Sequence, residues 1–567
     1  MSSTGAPTVR AHALRLALAL VTFVTAVGAV AAAPAAAALP AGASAYVAVT
    51  PQRLADTRPS QGAYGFTTVG ASTIRVDILG GDGVPANATA AVVNVTIIGA
   101  GGKGYVTVYP SGEALPTTST VNSDVAGRTI ANMAHVKIGA NGSIDLFRST
   151  SMNLAVDLVG VYVPVAGGVS EGRLTTLASG AVRIFDTRDR GYGVGAGSVT
   201  PVNLGTAGLP SGQAAALVTI TAVTGNPGYW TAYPTGENRP NVSSVNLDTV
   251  GQTRAGQAIV PLNGLQTFNI FSAGGGHLIV DLVGWYTGPD TASGTDGLFV
   301  PTSPLRLLDT RQLRTMAPWG GSTYEFSVGA PFSGISAVAM NITGTQPWDK
   351  GYVTAYPAGV TRPGSSNLNV TGWDQIIANH AISRVSGRGV ALFTNSGMHL
   401  IGDVAGWFLG TPSAATQPVP TNPNYTSNKA TAVYSAKASV LVGIKSGTNL
   451  DSIANQGYAA TWSDLANVAT PGNVMLFGHR TTGNAPFYYL HVLTNGDSFS
   501  LLGSDGHWYN YRVVDKRVTY PYYTTIANIS ANNGPMTAQL VACSKLSGLP
   551  TSTYYRIVIT GRLYSIT

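Results

Sequence analysis

Three sequence markers recur in the same order, three times each, over the first three quarters of the chain. Arg53-Leu54-Ala55-Asp56-Thr57-Arg58 returns as Arg183-Ile184-Phe185-Asp186-Thr187-Arg188 and as Arg306-Leu307-Leu308-Asp309-Thr310-Arg311. Gly104-Tyr105-Val106-Thr107-Val108-Tyr109-Pro110 has partners at 228–234 and 351–357. Val156-Asp157-Leu158-Val159-Gly160 has partners at 280–284 and 402–406. Tyr105, Tyr229 and Tyr352 lie 124 and 123 residues apart. Three markers at one spacing imply three homologous domains, and a unit of about 120 residues can hold its own core.

Within a repeat the apolar period is two. Val106 and Val108 face one way, and Tyr105, Thr107 and Tyr109 the other. Ala91–Thr96 and Gly142–Phe147 read as further short strands, punctuated by Gly, Pro and Asn. The expected fold class is therefore all-β, with three β-sandwich or barrel repeats at 46–163, 174–287 and 298–409. Residues 410–426 hold Pro412, Pro418, Pro420 and Pro423 without periodicity and read as a linker. The repeat markers vanish beyond it, so 427–567 is a different, also strand-rich domain.

The N-terminal 1–45 reads as an export signal or an uncleaved membrane anchor. Arg10 and Arg15 precede an apolar run from Leu16 to Ala33, and Ala43-Ser44-Ala45 fits small-residue cleavage. The formal net charge of +7 is scattered along the chain with no basic stripe, so nucleic acid is not an expected partner. The one cysteine, Cys543, excludes an intramolecular disulfide and zinc sites built from two or four cysteines; no metal or cofactor is called for. A lone thiol in an exported chain is either buried and inert or kept for its reactivity.

The C-terminal domain also holds His479 and Arg556, each beside a predicted strand end. Cys543 closes one strand and Arg556 opens the next; if those strands are neighbours, both side chains reach the same mouth of a barrel. A thiolate nucleophile, an imidazole able to move protons near neutral pH, and a guanidinium that holds an oxyanion suffice for acyl transfer through a thioester.

Pro471-Gly472-Asn473-Val474-Met475-Leu476-Phe477-Gly478-His479-Arg480-Thr481-Thr482, Gln539-Leu540-Val541-Ala542-Cys543 and Arg556-Ile557-Val558-Ile559 resemble the histidine, cysteine and arginine strands of actinobacterial sortases of the class E/F type. The resemblance covers about 140 residues. It implies an eight-stranded barrel and a cell-surface cysteine transpeptidase that cleaves a Leu-Pro-x-Thr-Gly-like C-terminal sorting signal. It implies Cys543 as nucleophile, His479 as general acid and base, and Arg556 as oxyanion holder. Its implied partners are proteins bearing sorting signals, with a cell-wall peptide amine or a pilin lysine as acceptor. Ala542 stands where many relatives carry Thr, and Ser544–Thr553 lengthens the gap from Cys543 to Arg556. An inactive surface or adhesive protein and a cysteine hydrolase are the alternatives.

The repeats resemble modules of exported actinobacterial cell-wall proteins. Wall or glycan binding, a projecting stalk and mutual packing are three open roles. Tyr109, Tyr233, Tyr356, Trp230, Trp285 and Trp407 either stack on sugars or pack in strands. The Asp-Thr-Arg runs read as turn clamps, with ligand binding as the alternative. His491 and His507 read as surface or packing residues.

Overall fold

In this computed structural model the described residues are 38–567, other than 179, 312–319, 348, 373–374, 421–427, 463–466, 469–472, 483, 521–536 and 551. The apolar signal run and Pro423 lie outside them. Among the described residues no helix is long and apolar enough to cross a membrane.

Alternation of apolar residues along each strand gives every repeat two sheets with a core between. In the first repeat, Ser44–Asp56, Asn153–Pro164, Ala90–Ile98 and Ile130–Lys137 form one half of an eight-stranded sheet, which strands of the third repeat continue through Ser44 opposite Phe299. Thr67–Gly70, Thr73–Asp77, Ser143–Arg148, Gly104–Pro110 and Val121–Ser123 form the second sheet of the repeat. Val93, Val95, Val106, Val108, Ile144 and Val156 fill the space between them. The registers repeat: Asn94 lies opposite Asp157, Thr219 opposite Asp281 and Asn341 opposite Asp403. A bulge follows at the same place in each, at Val92/Val93, Leu217/Val218 and Ala339/Met340. The terminal glycine of the third marker sits beside it. A Cβ on Gly160 would lie 2.3 Å from Tyr46, and one on Gly406 would lie 2.4 Å from Phe299. Only glycine admits those rings.

The repeats close on one another rather than stringing out as a stalk. Tyr46, Tyr162, Leu174, Tyr286, Phe299 and Phe408, two from each repeat, share one buried cluster. The equivalent loop of each repeat receives a side-chain donor from another repeat. Arg53 Nη2 donates to Asn241 O at 3.0 Å, Arg183 Nη2 to Gly364 O at 3.4 Å, and Asn341 Nδ2 to Ser119 O.

The first marker is a clamp at a strand exit. Asp56 accepts from Arg58 N, as Asp186 does from Arg188 N and Asp309 from Arg311 N. Its first arginine pairs with the carboxylate of the third marker: Arg53 with Asp157, Arg183 with Asp281 at 3.0 Å, and Arg306 with Asp403 at 2.8 Å. Of the aromatic residues considered for sugar stacking, Tyr109, Tyr233, Tyr356, Trp230 and Trp407 are buried. The loop after each second marker folds over that sheet face: the Thr107, Thr231 and Thr354 hydroxyls donate to Thr118 O, Val242 O and Ser365 O at 2.6, 2.6 and 2.7 Å.

Beyond the third repeat, Thr416 N and Gln417 N donate to Gly359 O, and Arg388 holds Gln417 O, so this stretch lies along that repeat. Eight strands then form a closed barrel. Its order is Ala430–Ser435, Val440–Ser446, Ala459–Thr461, Asn473–Phe477, Thr537–Ser544, Tyr555–Ile566, Trp508–Thr519 and Ser498–Gly503. Val433, Val474, Leu476, Phe499, Leu501, Tyr511, Leu540, Ile557 and Ile559 fill it. Closure leaves no free sheet edge.

Candidate active site

Two adjacent barrel strands carry Cys543 and Arg556, and the loop after a third carries His479. Asn473–Phe477 runs parallel to Thr537–Ser544, with Phe477 level with Val541. Gly478 N continues the ladder to Val541 O at 3.1 Å. His479 and Cys543 thus each lie two residues past a matched pair. Thr537–Ser544 is antiparallel to Tyr555–Ile566, with Cys543 opposite Arg556. Directly opposed residues project to one face of a sheet.

That face is the outer wall, not the mouth expected from the sequence. Leu540, Ala542, Ile557 and Ile559 point into the barrel core. Their alternates Val541 and Val558 join Met475 in a separate buried cluster, with Trp462 and Phe477 packed against it. By the period of two, Cys543 and Arg556 share this second side. The thiol is partly buried and free of any disulfide.

The loop bearing His479 is fixed from beneath. Phe487 is fully buried and lies so near Gly478 that a Cβ there would meet its ring at 2.6 Å. Phe487 N donates to His479 O at 3.0 Å. His479 Nε2 meets Asn455 Oδ1 at 2.9 Å. An amide oxygen only accepts, so Nε2 carries the proton and Nδ1 is left to exchange one. Asn455 ends the short helix Leu450–Asn455, which is capped at its start by Asn449 accepting from Ser452 N.

Arg556 Nη1 donates to Thr553 O at 2.7 Å and Tyr555 O at 3.1 Å, which fixes one side of the guanidinium. Tyr555 stands among tyrosines, 5.1 Å from Tyr520 and 5.0 Å from Tyr554 between ring centroids. Tyr520 and Tyr554 are exposed.

Two residues of this region escaped the sequence reading, Asn455 and Arg480. Arg480 follows His479 and is 1% exposed. Its Nη1 donates to Cys543 O at 3.2 Å and Gly548 O at 3.0 Å, and its Nε and Nη2 donate to Tyr488 O at 3.2 and 2.9 Å. Nη2 also meets His491 Nδ1 at 2.9 Å. A guanidinium cannot accept, so Nδ1 does, and His491 is more than a surface residue. His507 lies at the surface 3.2 Å from Asp505.

The strand register thus sets Cys543 opposite Arg556 and brings the loop bearing His479 to the end of the neighbouring strand. Residues 432–564 match the family model of the sortase domain. Solved structures that match include a sortase from Actinomyces oris, at 18% identity over 26% of this chain and 87% of that one, TM-score 0.22. Sortase E1 from Streptomyces coelicolor, solved with a tripeptide in its active site, is 21% identical over 24% of this chain and 89% of that one, TM-score 0.22. Sortase A of Listeria monocytogenes is 22% identical over 24% and 88%, TM-score 0.21. No curated protein sequence matches the chain. With its family match and its closed eight-stranded barrel, the C-terminal part of the chain is a sortase domain.

Proposed function

We propose that this domain is a cysteine transpeptidase acting at the cell surface on proteins with a Leu-Pro-x-Thr-Gly-like sorting signal. The observation that carries the reading is the strand register that sets Cys543 opposite Arg556 and beside the His479 loop. The Cys543 thiolate attacks the Thr carbonyl carbon, and Arg556 donates to the oxyanion that forms. His479 gives a proton to the departing glycine amine, the C–N bond breaks, and a thioester to Cys543 remains. An incoming amine of a wall peptide or a pilin lysine loses its proton to His479 and attacks the thioester. The new amide forms and the thiolate leaves, ready for the next cycle. The domains at 46–163, 174–287 and 298–409 serve as the carrier of this enzyme after export by the 1–45 segment.

The test is mass spectrometry of the full chain with sorting peptides, with and without an amine. An adduct on Cys543 that turns over only with amine supports transpeptidation. Equal turnover in water alone makes the domain a hydrolase, and no adduct with any sorting peptide makes it an inactive surface protein.

A further inference from the structure

The Arg480 guanidinium has five N–H donors and five hydrogen bonds, all to neutral acceptors. Among the described residues no carboxylate pairs with it. A buried cation of this kind is costly, and the cost is ordinarily met by a counter-ion. Burial draws its pKa down to about 10, and the nearby Cys543 acts in the opposite direction. The negative charge this site would bring to Arg480 is the Cys543 thiolate.

The acceptors also come from three separate segments. Cys543 O ends the cysteine strand, Gly548 O lies in the turn before the arginine strand, and Tyr488 O and His491 belong to the short 3-10 helix Tyr488–Val492. One side chain therefore ties the histidine loop to the cysteine strand and to the segment leading to Arg556. Lysine cannot reproduce this, because three donors on one nitrogen do not span that set.

We infer that Arg480 is the positioning residue of the site: it fixes the Cys543 backbone relative to His479 and the following turn, and holds a permanent positive charge behind the thiol. This deepens the transpeptidase reading and rests on it for the role of the thiol. The test needs no sorting peptide, since Cys543 is the chain's one thiol. The thiolate is the species that alkylates.

Iodoacetamide labelling of the full chain at fixed neutral pH is expected to slow about tenfold in Arg480→Gln, with thermal melting reporting that the fold persists. Arg480→Lys, which keeps charge without the tethers, is expected to recover most of the labelling rate while peptide turnover stays about tenfold down in kcat with KM unchanged. Labelling of Arg480→Gln at the wild-type rate overturns the inference. If Arg480→Gln does not fold, Arg480→Lys decides alone. Wild-type kcat in it, or labelling slowed tenfold, overturns the inference. Absence of any peptide turnover in the wild type would instead sink the transpeptidase reading and leave the labelling comparison readable.

Discussion

Asn455 and Arg480 show why a sequence displays only part of such a site. Cys543, His479 and Arg556 stand out as candidates in the sequence because each is a chemically distinctive residue in a strand-end motif. Asn455 is an ordinary helix-end residue until the fold brings it within 2.9 Å of His479. Arg480 binds carbonyls, which every residue carries, so no pattern marks its partners. At this scale His479→Ala is expected to keep the fold and cut turnover by roughly two orders of magnitude, as loss of a general acid or base does. Asn455→Ala removes only the orienting contact. It should lower kcat roughly tenfold without changing KM for the sorting peptide, and steady-state kinetics distinguish the two. Arg556→Lys keeps charge but loses the planar fork, so it too should be strongly impaired. Full activity in that variant would remove the oxyanion role.

At the scale of elements, the period-two pattern revealed the strands, and the markers revealed their equivalence. It could not reveal which outward-facing residues a loop would cover. Tyr105 and Tyr109 share a face, yet Tyr105 is 38% exposed and Tyr109 only 7%. Both alternate with Val106 and Val108, so the period of two cannot tell them apart. The threonine of the first marker has an equally hidden role. Thr310 Oγ1 accepts from Leu400 N at 3.0 Å and meets His399 Nδ1, also at 3.0 Å. Thr187 repeats this with Leu278 N and His277, and Thr57 with Leu154 N and Asn153. Thr310→Val keeps the shape and leaves the buried Leu400 N–H unpaired. It is expected to destabilise the third repeat by about 1–3 kcal/mol, read as a lower urea midpoint, whereas Thr310→Ser should recover most of the loss. An unchanged midpoint in the valine variant would mean that the hydroxyl is not the clamp.

At the scale of the whole molecule, polar side chains from all three repeats meet in one buried chain of hydrogen bonds whose direction is fixed. Gln257 Oε1 accepts from Ile382 N at 2.8 Å and meets His380 Nδ1 at 3.0 Å, so Nδ1 carries the proton. His380 Nε2 then accepts from His135 Nδ1 at 3.0 Å, and His135 Nε2 accepts from Tyr162 Oη at 3.0 Å. Tyr162 in turn accepts from Tyr286 at 2.6 Å. Both imidazoles are neutral, and an added proton has no acceptor. Burial accordingly pulls His380 down to about 3 and holds His135 well below its ordinary range. A histidine depressed in the folded state stabilises fully above its unfolded value of about 6.5, and that stability is lost as pH falls from there toward the folded value. Asp157, raised by burial to about 6, works the other way, since it holds its proton longer when folded. Comparison with a variant cancels that opposing contribution. Between pH 7 and pH 5 the His380 share of the loss is about 2 kcal/mol. His380→Gln should therefore be less stable than the wild type at pH 7 but lose about 2 kcal/mol less on acidification to pH 5, measured by urea unfolding of the full chain. Equal losses in the two proteins would show that the junction of the repeats does not sense acid through His380, because no other change in the variant removes a titrating group.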